Sequence, residues 1–337
     1  MSEARRMMVD LKTPKLWVYW ADLLASVTIG ATAFVLFPAR NPWSPTAAVC
    51  VLVSALALYR AVLFVHELVH AAEHLRSFSL VWHVLVGIPL LSPKFIYEFH
   101  QEHHASRTYG TESDGEYVDY AEQPRWRVLL TPFTAFLGLP VFIIRFVVLA
   151  PLSWLIRPLR EFVLTRASAL AIDAEFVRKL PDGPIPRRWI VQEAACFVYG
   201  VLIAGLLLTG VIPVVRFAEA YAVITVLLFV NWWRVLVSHR YESGNQPMSF
   251  PDQILDSVDH TSHPLLSELW APVGLRYHAV HHFFPWLPYH ALPEARRRLA
   301  AAIPAGGGYW HTADRSWWTT LRRLLSRPAL QLNGGAR

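Results

Sequence analysis

Cysteine is nearly absent from the 337-residue chain. Only Cys50 and Cys196 occur, far apart and each inside an apolar run. With no CxxC pair, an iron–sulfur cluster or a cysteine-built zinc site is excluded, and nothing indicates an oxidising compartment. Charge is also scarce: 17% of residues are charged, against about 25% in soluble domains. The chain has no GxGxxG dinucleotide fingerprint, no low-complexity segment, no repeat beyond two apolar hairpins and no motif for nucleic acid. Its N-terminal stretch, MSEARRMMVDLKTPK, is polar and mixed in charge, unlike the start of a secretory signal.

What the chain has instead is long apolar runs. About 20 helical residues cross the ~30 Å hydrocarbon core of a bilayer. Four runs suit that role, at about 16–37, 47–65, 193–215 and 218–237. Two further runs, 77–97 and 128–156, are interrupted by prolines (Pro89 and Pro93; Pro132, Pro140 and Pro151). The segment 157–188 carries seven Lys/Arg against four Asp/Glu, and residues 291–337 carry eight arginines against two acids. The short loops after the first and fifth runs contain only Arg40 and Arg216. By the positive-inside rule, both termini and the 157–188 segment face the cytoplasm. The stretch SWWTTLRRLLSRPAL, from Ser316, has the pattern of an interfacial amphipathic helix.

Histidine is the unusual abundance, with fifteen residues. Three groups stand out: HELVH (His66, His70), HQEHH (His100, His103, His104) and HAVHH (His278, His281, His282). Positions i, i+3 and i+4 of a helix share a face, so each group points two or three imidazoles in one direction. Neutral imidazole binds Zn, Fe, Cu or Ni well. Crowding so many rings without a metal would incur desolvation and mutual repulsion. Eight histidines exceed what one tetrahedral ion can use, which points to two metals. His239, just past the last run, is a ninth candidate ligand. His74, one turn beyond His70, and His263, in DHTSH, are further candidates. His83, His290 and His311 are isolated and read as ordinary polar residues.

To share metals, the first two groups must lie on one side of the membrane. The run 77–97 between them is therefore expected to be interfacial or re-entrant, and 128–156 to be interfacial or to cross an even number of times. The expected fold is an all-α integral membrane protein of one domain, residues 1–337. Four spanning helices in two hairpins would be joined by interfacial helices to a cytosolic helical cap and basic tail, 239–337.

These groups resemble, in order, the HxxxH, HxxHH and HxxHH boxes of the membrane fatty acid desaturase family. GLRYHAVHHFFPWLPYHAL is similar to the family's continuation of its third box, and HHASRTYGTESDGEY to the stretch after the second box in bacterial members. The resemblance, over roughly 63–299, implies four transmembrane helices, a cytosolic cap and a non-haem di-iron centre held almost wholly by histidine. Position by position, one iron would take His66, His104, His281 and His282. The other would take His70, His100, His103, His278 and His239. Where acyl-CoA desaturases place an asparagine four residues before the last-span histidine, this chain has Val235, and the nearest asparagine is Asn231.

Such a centre, with O2 as co-substrate, attacks an unactivated C–H bond that no side-chain acid or nucleophile could reach. Carboxylates near the boxes, Glu67, Glu102, Asp114, Glu116 and Asp259, are candidates to orient the imidazoles. Arg234 and Asn231 lie beside them at the end of the last span. The expected activity is desaturation of a fatty acyl chain, with hydroxylation or ketolation of a carotenoid, alkane or other lipid as the alternative. HELVH also fits the HExxH motif of a zinc protease, but that leaves both HxxHH boxes unexplained. A metal transporter would need ligands along a path across the membrane. With no cytochrome b5-like segment, electrons are expected from a separate ferredoxin-like or reductase partner. The basic surface around Arg157, Arg160, Arg187, Arg188 and Arg296–Arg298 would serve as its docking area or as a contact for lipid headgroups. The setting would be a bacterial cytoplasmic membrane.

Overall fold

The first long helix starts where the charges of the N-terminus give way to Leu16. A computed structural model describes residues 2–169, 172–304, 306–314 and 316–326. Helix α1 (Leu16–Leu36) is followed after a tight loop by α2 (Pro45–His70). The Ser44 hydroxyl accepts a hydrogen bond from the Ala47 amide, and Pro45 takes the first helical position, an arrangement suited to a helix start. The pair packs closely at Gly30, where a Cβ would come within 2.8 Å of Leu58.

At 26 residues, α2 is about 39 Å long. That exceeds the hydrocarbon thickness by roughly two turns, and these last turns carry His66 and His70. The apolar run 47–65 is thus part of a longer helix that includes both histidines. The next long helices, α4 (Arg125–Leu155), α5 (Arg187–Leu208) and α6 (Val214–Ser238), follow a short helix α3 (His100–His103). Helix α5 starts six residues before the expected run and ends at Leu208, where Thr209, Gly210 and Pro213 stop it.

Among the described residues, five helices, α1, α2, α4, α5 and α6, are long and apolar enough to cross a membrane. Their outer faces expose large side chains such as Ile29, Val35, Leu52, Val198, Leu202 and Leu208. So extensive an apolar surface suits lipid rather than water, and the chain is a multi-pass membrane protein. The run 77–97 forms no such helix. It breaks into Arg76–Trp82, a π-turn at His83–Gly87 and a 3-10 turn at Lys94–Tyr97. The run 128–156 is, by contrast, part of one continuous 31-residue helical segment, Arg125–Leu155. Pro132 lies in a 3-10 turn at Thr131–Thr134, Pro140 within regular helix, and Pro151 just after a π-turn at Ile144–Leu149. One end of α4 packs on α6 through Phe133 and Phe229, ring centroids 5.6 Å apart. The other packs on α5 through Trp154 and Phe197, at 5.5 Å.

Beyond α6 the chain folds over the helix ends. Helix α7 (Phe250–Asp256) and helix α8 (His278–Phe283) cover the histidines. Two short parallel strands, Asp259–His260 and Ala313–Asp314, tie this region together. Helix α9 (Trp317–Ser326) matches the expected amphipathic helix, with Trp317 and Trp318 half exposed. Residues 327–337 of the basic tail lie outside the described residues.

Candidate metal centre

Nine histidines converge where α2, α3, α6 and α8 end together. They form two groups. His66, His70, His100, His104 and His281 make one, and His103, His239, His278 and His282 the other; within each group the candidate ligand atoms lie within 4.8 Å of one another. The groups adjoin, with His104 and His282 ring centroids 4.4 Å apart. All nine belong to the residues singled out from the sequence. The partition differs from the one the family resemblance implied: His70 and His100 join the first group and His282 the second. The cause is the helical turn. In α8, His278 and His282 are one turn apart and stay together, while His281 faces the opposite group.

The ring nitrogens identify what the site is shaped to hold. His66 Nε2, His70 Nε2 and His103 Nε2 are buried without a hydrogen-bond partner. Elsewhere Nε2 faces Nε2: His239 and His278 at 2.9 Å, His104 and His281 at 3.0 Å, His100 and His104 at 3.1 Å. Buried polar atoms are normally satisfied, and lone pairs so placed repel unless a proton or cation lies between them. Burial holds His100, His104, His278, His281 and His282 well below their ordinary value of 6.5. Their rings are neutral, as ligands must be. The residues present therefore fit a pair of metal ions.

Carboxylates fix several rings from behind. His103 Nδ1 donates to Asp114 at 2.8 Å. Burial works against a charged His103, but the adjacent Asp114 outweighs it and raises the ring above its ordinary value. His100 Nδ1 donates to Glu116, whose other oxygen accepts from the Tyr97 hydroxyl at 2.7 Å. Burial raises Glu116 and lowers His100, which keeps the imidazole neutral with its proton on Nδ1. Glu67 lies 3.7 Å from His66 Nδ1 and accepts hydrogen bonds from Tyr19 at 2.5 Å and from the Tyr289 amide at 3.1 Å. That carboxylate is engaged in joining α1, α2 and the cap, and is not free to act as the base of an HExxH protease.

Other expectations are corrected by the geometry. Glu102 points away from the rings, half exposed, to Arg107 at 3.0 Å. Asp259 touches no imidazole; it accepts from the amides of Ala279 and Val280 and so caps α8. Burial pushes its carboxyl up to about 6. Asn231 and Arg234 bind each other at 3.0 Å rather than a ring. His74 and His263 are exposed and outside both groups. His260 is turned to the Val237 carbonyl at 2.9 Å.

Two positioning residues were not found from the sequence. Tyr109 donates to Asp256 at 2.7 Å, and its oxygen lies 2.8 Å from His239 Nδ1. Because the phenol gives its single proton to Asp256, His239 Nδ1 must be the donor to the phenol, which leaves Nε2 free to face the site. Burial disfavours the charge on Asp256, yet the hydrogen bonds from this side hold its carboxyl below the ordinary value.

Residues 41–313 of the chain match the fatty acid desaturase family. A protein of Caulobacter vibrioides (strain NA1000 / CB15N) named ceramide hydroxylase is 37% identical over 338 residues, covering 99% of this chain and 95% of that protein. No solved structure gives a significant match.

Proposed function

This chain belongs to the fatty acid desaturase family and is an oxidoreductase acting on lipids; from that premise we propose that it is a di-iron hydroxylase of a lipid chain. The carrying observation is the near full-length similarity to a ceramide hydroxylase. It favours oxygen insertion over the desaturation expected from the boxes alone, and a ceramide-like lipid as the substrate. Hydroxylation consumes one O2, two electrons and two protons and gives the alcohol and water. The electrons come from a separate ferredoxin-like or reductase partner.

Bound iron would supply O2 activation and attack on the C–H bond. The protein supplies the rest. His66, His70, His100, His104 and His281 would hold one ion, and His103, His239, His278 and His282 the other. Asp114, Glu116 and the Tyr109–Asp256 pair keep three Nδ1 protons in place, so that Nε2 of His103, His100 and His239 faces inward. Apolar walls around Val62, Leu63 and Leu227 exclude water from the lipid side of the first group.

In the same reading, four helices cross the membrane and α4 lies along it. His70 ends α2 and His239 ends α6, yet both join one centre. An even number of crossings must separate them, and α5 with α6 already makes two. Both ends of α4 also meet their neighbours at similar depth. Phe229 is nine residues before Ser238, and Phe197 ten after Arg187. The termini and the centre then face the cytoplasm, in a bacterial cytoplasmic membrane.

The test is lipid analysis of cells expressing the chain with a reductase system. A lipid that gains one oxygen atom supports the hydroxylase. Loss of two hydrogens with no oxygen gained rejects it in favour of a desaturase.

A further inference from the structure

Two cavities adjoin the centre. The smaller, about 120 Å³, has Val62, Leu63, Leu90 and Leu227 in its walls and reaches Glu116 and Tyr97, which bind and stack on His100. The larger, about 720 Å³, has two different linings. One is apolar and half exposed toward the lipid side, with Leu137, Val141 and Ile144. The other is acidic, with Glu112, Asp114, Asp119, Glu122, Asp173 and Glu175 against only Arg127 and Arg145. The two cavities share Phe142, Arg145, Ile172 and Leu228 as common wall.

Arg145 is the unusual member of that wall. It is 2% exposed. Its Nε donates to the Ala167 carbonyl at 2.7 Å and its Nη1 to Glu193 at 2.9 Å. Its Nη2 is buried with no partner, and so is Asp119 Oδ2 in the same larger cavity. Arginine brings five donors in a fixed fork, and a buried donor left unpaired is costly. One unpartnered donor and one unpartnered acceptor thus belong to side chains that line the larger cavity, Arg145 on the wall that it shares with the smaller one. An anion is poorly suited there: six carboxylates oppose it, and the charge of Arg145 is already engaged by Glu193. A head with a carbonyl or hydroxyl acceptor and a hydroxyl or amide donor, and no net charge, satisfies both groups.

Resting on the reading of the chain as a lipid oxidase, we propose that Arg145 is the positioning residue for an uncharged polar head of the substrate. Its Nη2 donates to an acceptor on a head held in the larger cavity, while the chain passes Phe142 and Leu228 into the smaller one. The distance from Arg145 to the histidines then sets which carbon is oxidised. The acidic lining rejects anionic carriers such as a CoA thioester.

The test uses the purified full chain in detergent with two ligands: a long-chain N-acyl amino alcohol, and the same acyl chain as its CoA thioester. Equilibrium binding is measured first, and the position of oxidation second, with iron and a reductant supplied. The wild type is expected to bind the amino alcohol at least about 10-fold more tightly. Arg145→Lys keeps the charge but loses the fork. It is expected to weaken that binding about 10-fold, the size of one hydrogen bond to a charged group, and to spread oxidation over neighbouring carbons at unchanged iron content. Asp119→Asn, which tests the proposal even where Arg145→Lys fails to fold, is expected to tighten thioester binding severalfold. Equal binding of both ligands by the wild type, or unchanged binding and oxidation position in the folded variants, overturns the proposal. Head-selective binding without oxidation of either lipid supports the head site and rejects the oxidase reading; oxidation indifferent to the head does the reverse.

Discussion

The phenol of Tyr109 lies 2.8 Å from Nδ1 of His239, across 130 residues of sequence. Through Asp256 it anchors the one histidine of the centre that no box supplies. Replacing Tyr109 with Phe removes the acceptor for that Nδ1 proton and frees the ring to turn. Loss of such a contact behind a metal ligand costs about 10–100-fold in affinity or activity. Tyr109→Phe is expected to fall in that range while keeping its fold; elemental analysis after graded chelation, beside a melting curve, checks it.

His239→Ala is expected to abolish lipid oxidation and lower iron per chain, whereas His311→Ala changes neither. His239 is buried and faces His278 at 2.9 Å. His311 is exposed and offers only its carbonyl, to Arg240. Iron content and turnover of the two purified variants decide it. A fully loaded, active His239 variant would remove this residue from the ligand set.

The contrast between these residues marks what was readable from sequence. The boxes were legible because ligands on one helix repeat at i, i+3 and i+4. His239 was legible because a lone histidine at the end of an apolar run is where a span meets the centre. Asp256 and Tyr109 carried no such signal, since each acts through a partner more than fifteen residues away. Glu102 misled for the opposite reason. It adjoins His103 in sequence, but in α3 the positions i, i+3 and i+4 face inward and i+2 faces out. The division of ligands between two ions needed the relative rotation of four helices, which spacing within each helix does not contain. Likewise the prolines of α4 suggested interruptions, but the helix continues through local 3-10 and π turns.

Single cysteines placed at Arg125 and Arg157, at the two ends of α4, are expected to react with a membrane-impermeant thiol reagent from the same side in oriented vesicles, in a background lacking Cys50 and Cys196. Labelling from opposite sides would give α4 an odd number of crossings and separate His70 from His239, which share one centre.

The metal-free protein is expected to lose stability as pH falls below about 6.5. Burial depresses His100, His104, His278, His281 and His282, so below their ordinary value the unfolded chain binds more protons than the folded one. Stability then rises with pH, by roughly 1.4 kcal/mol per pH unit for each ring that is protonated only when unfolded. The contribution is full above 6.5 and is lost as pH falls toward the depressed folded values. Melting temperatures of chelator-treated protein should hold between pH 7.5 and about 6.5 and fall from there to pH 5.5. A flat profile would mean that these rings are not buried in the neutral state.

Metal content is the most direct measure of what the nine histidines hold. Elemental analysis of the purified full chain, expressed in iron-replete medium, should give two irons per chain and little zinc. One zinc per chain, or no stoichiometric metal at a site where nine histidines converge, would contradict the di-iron centre.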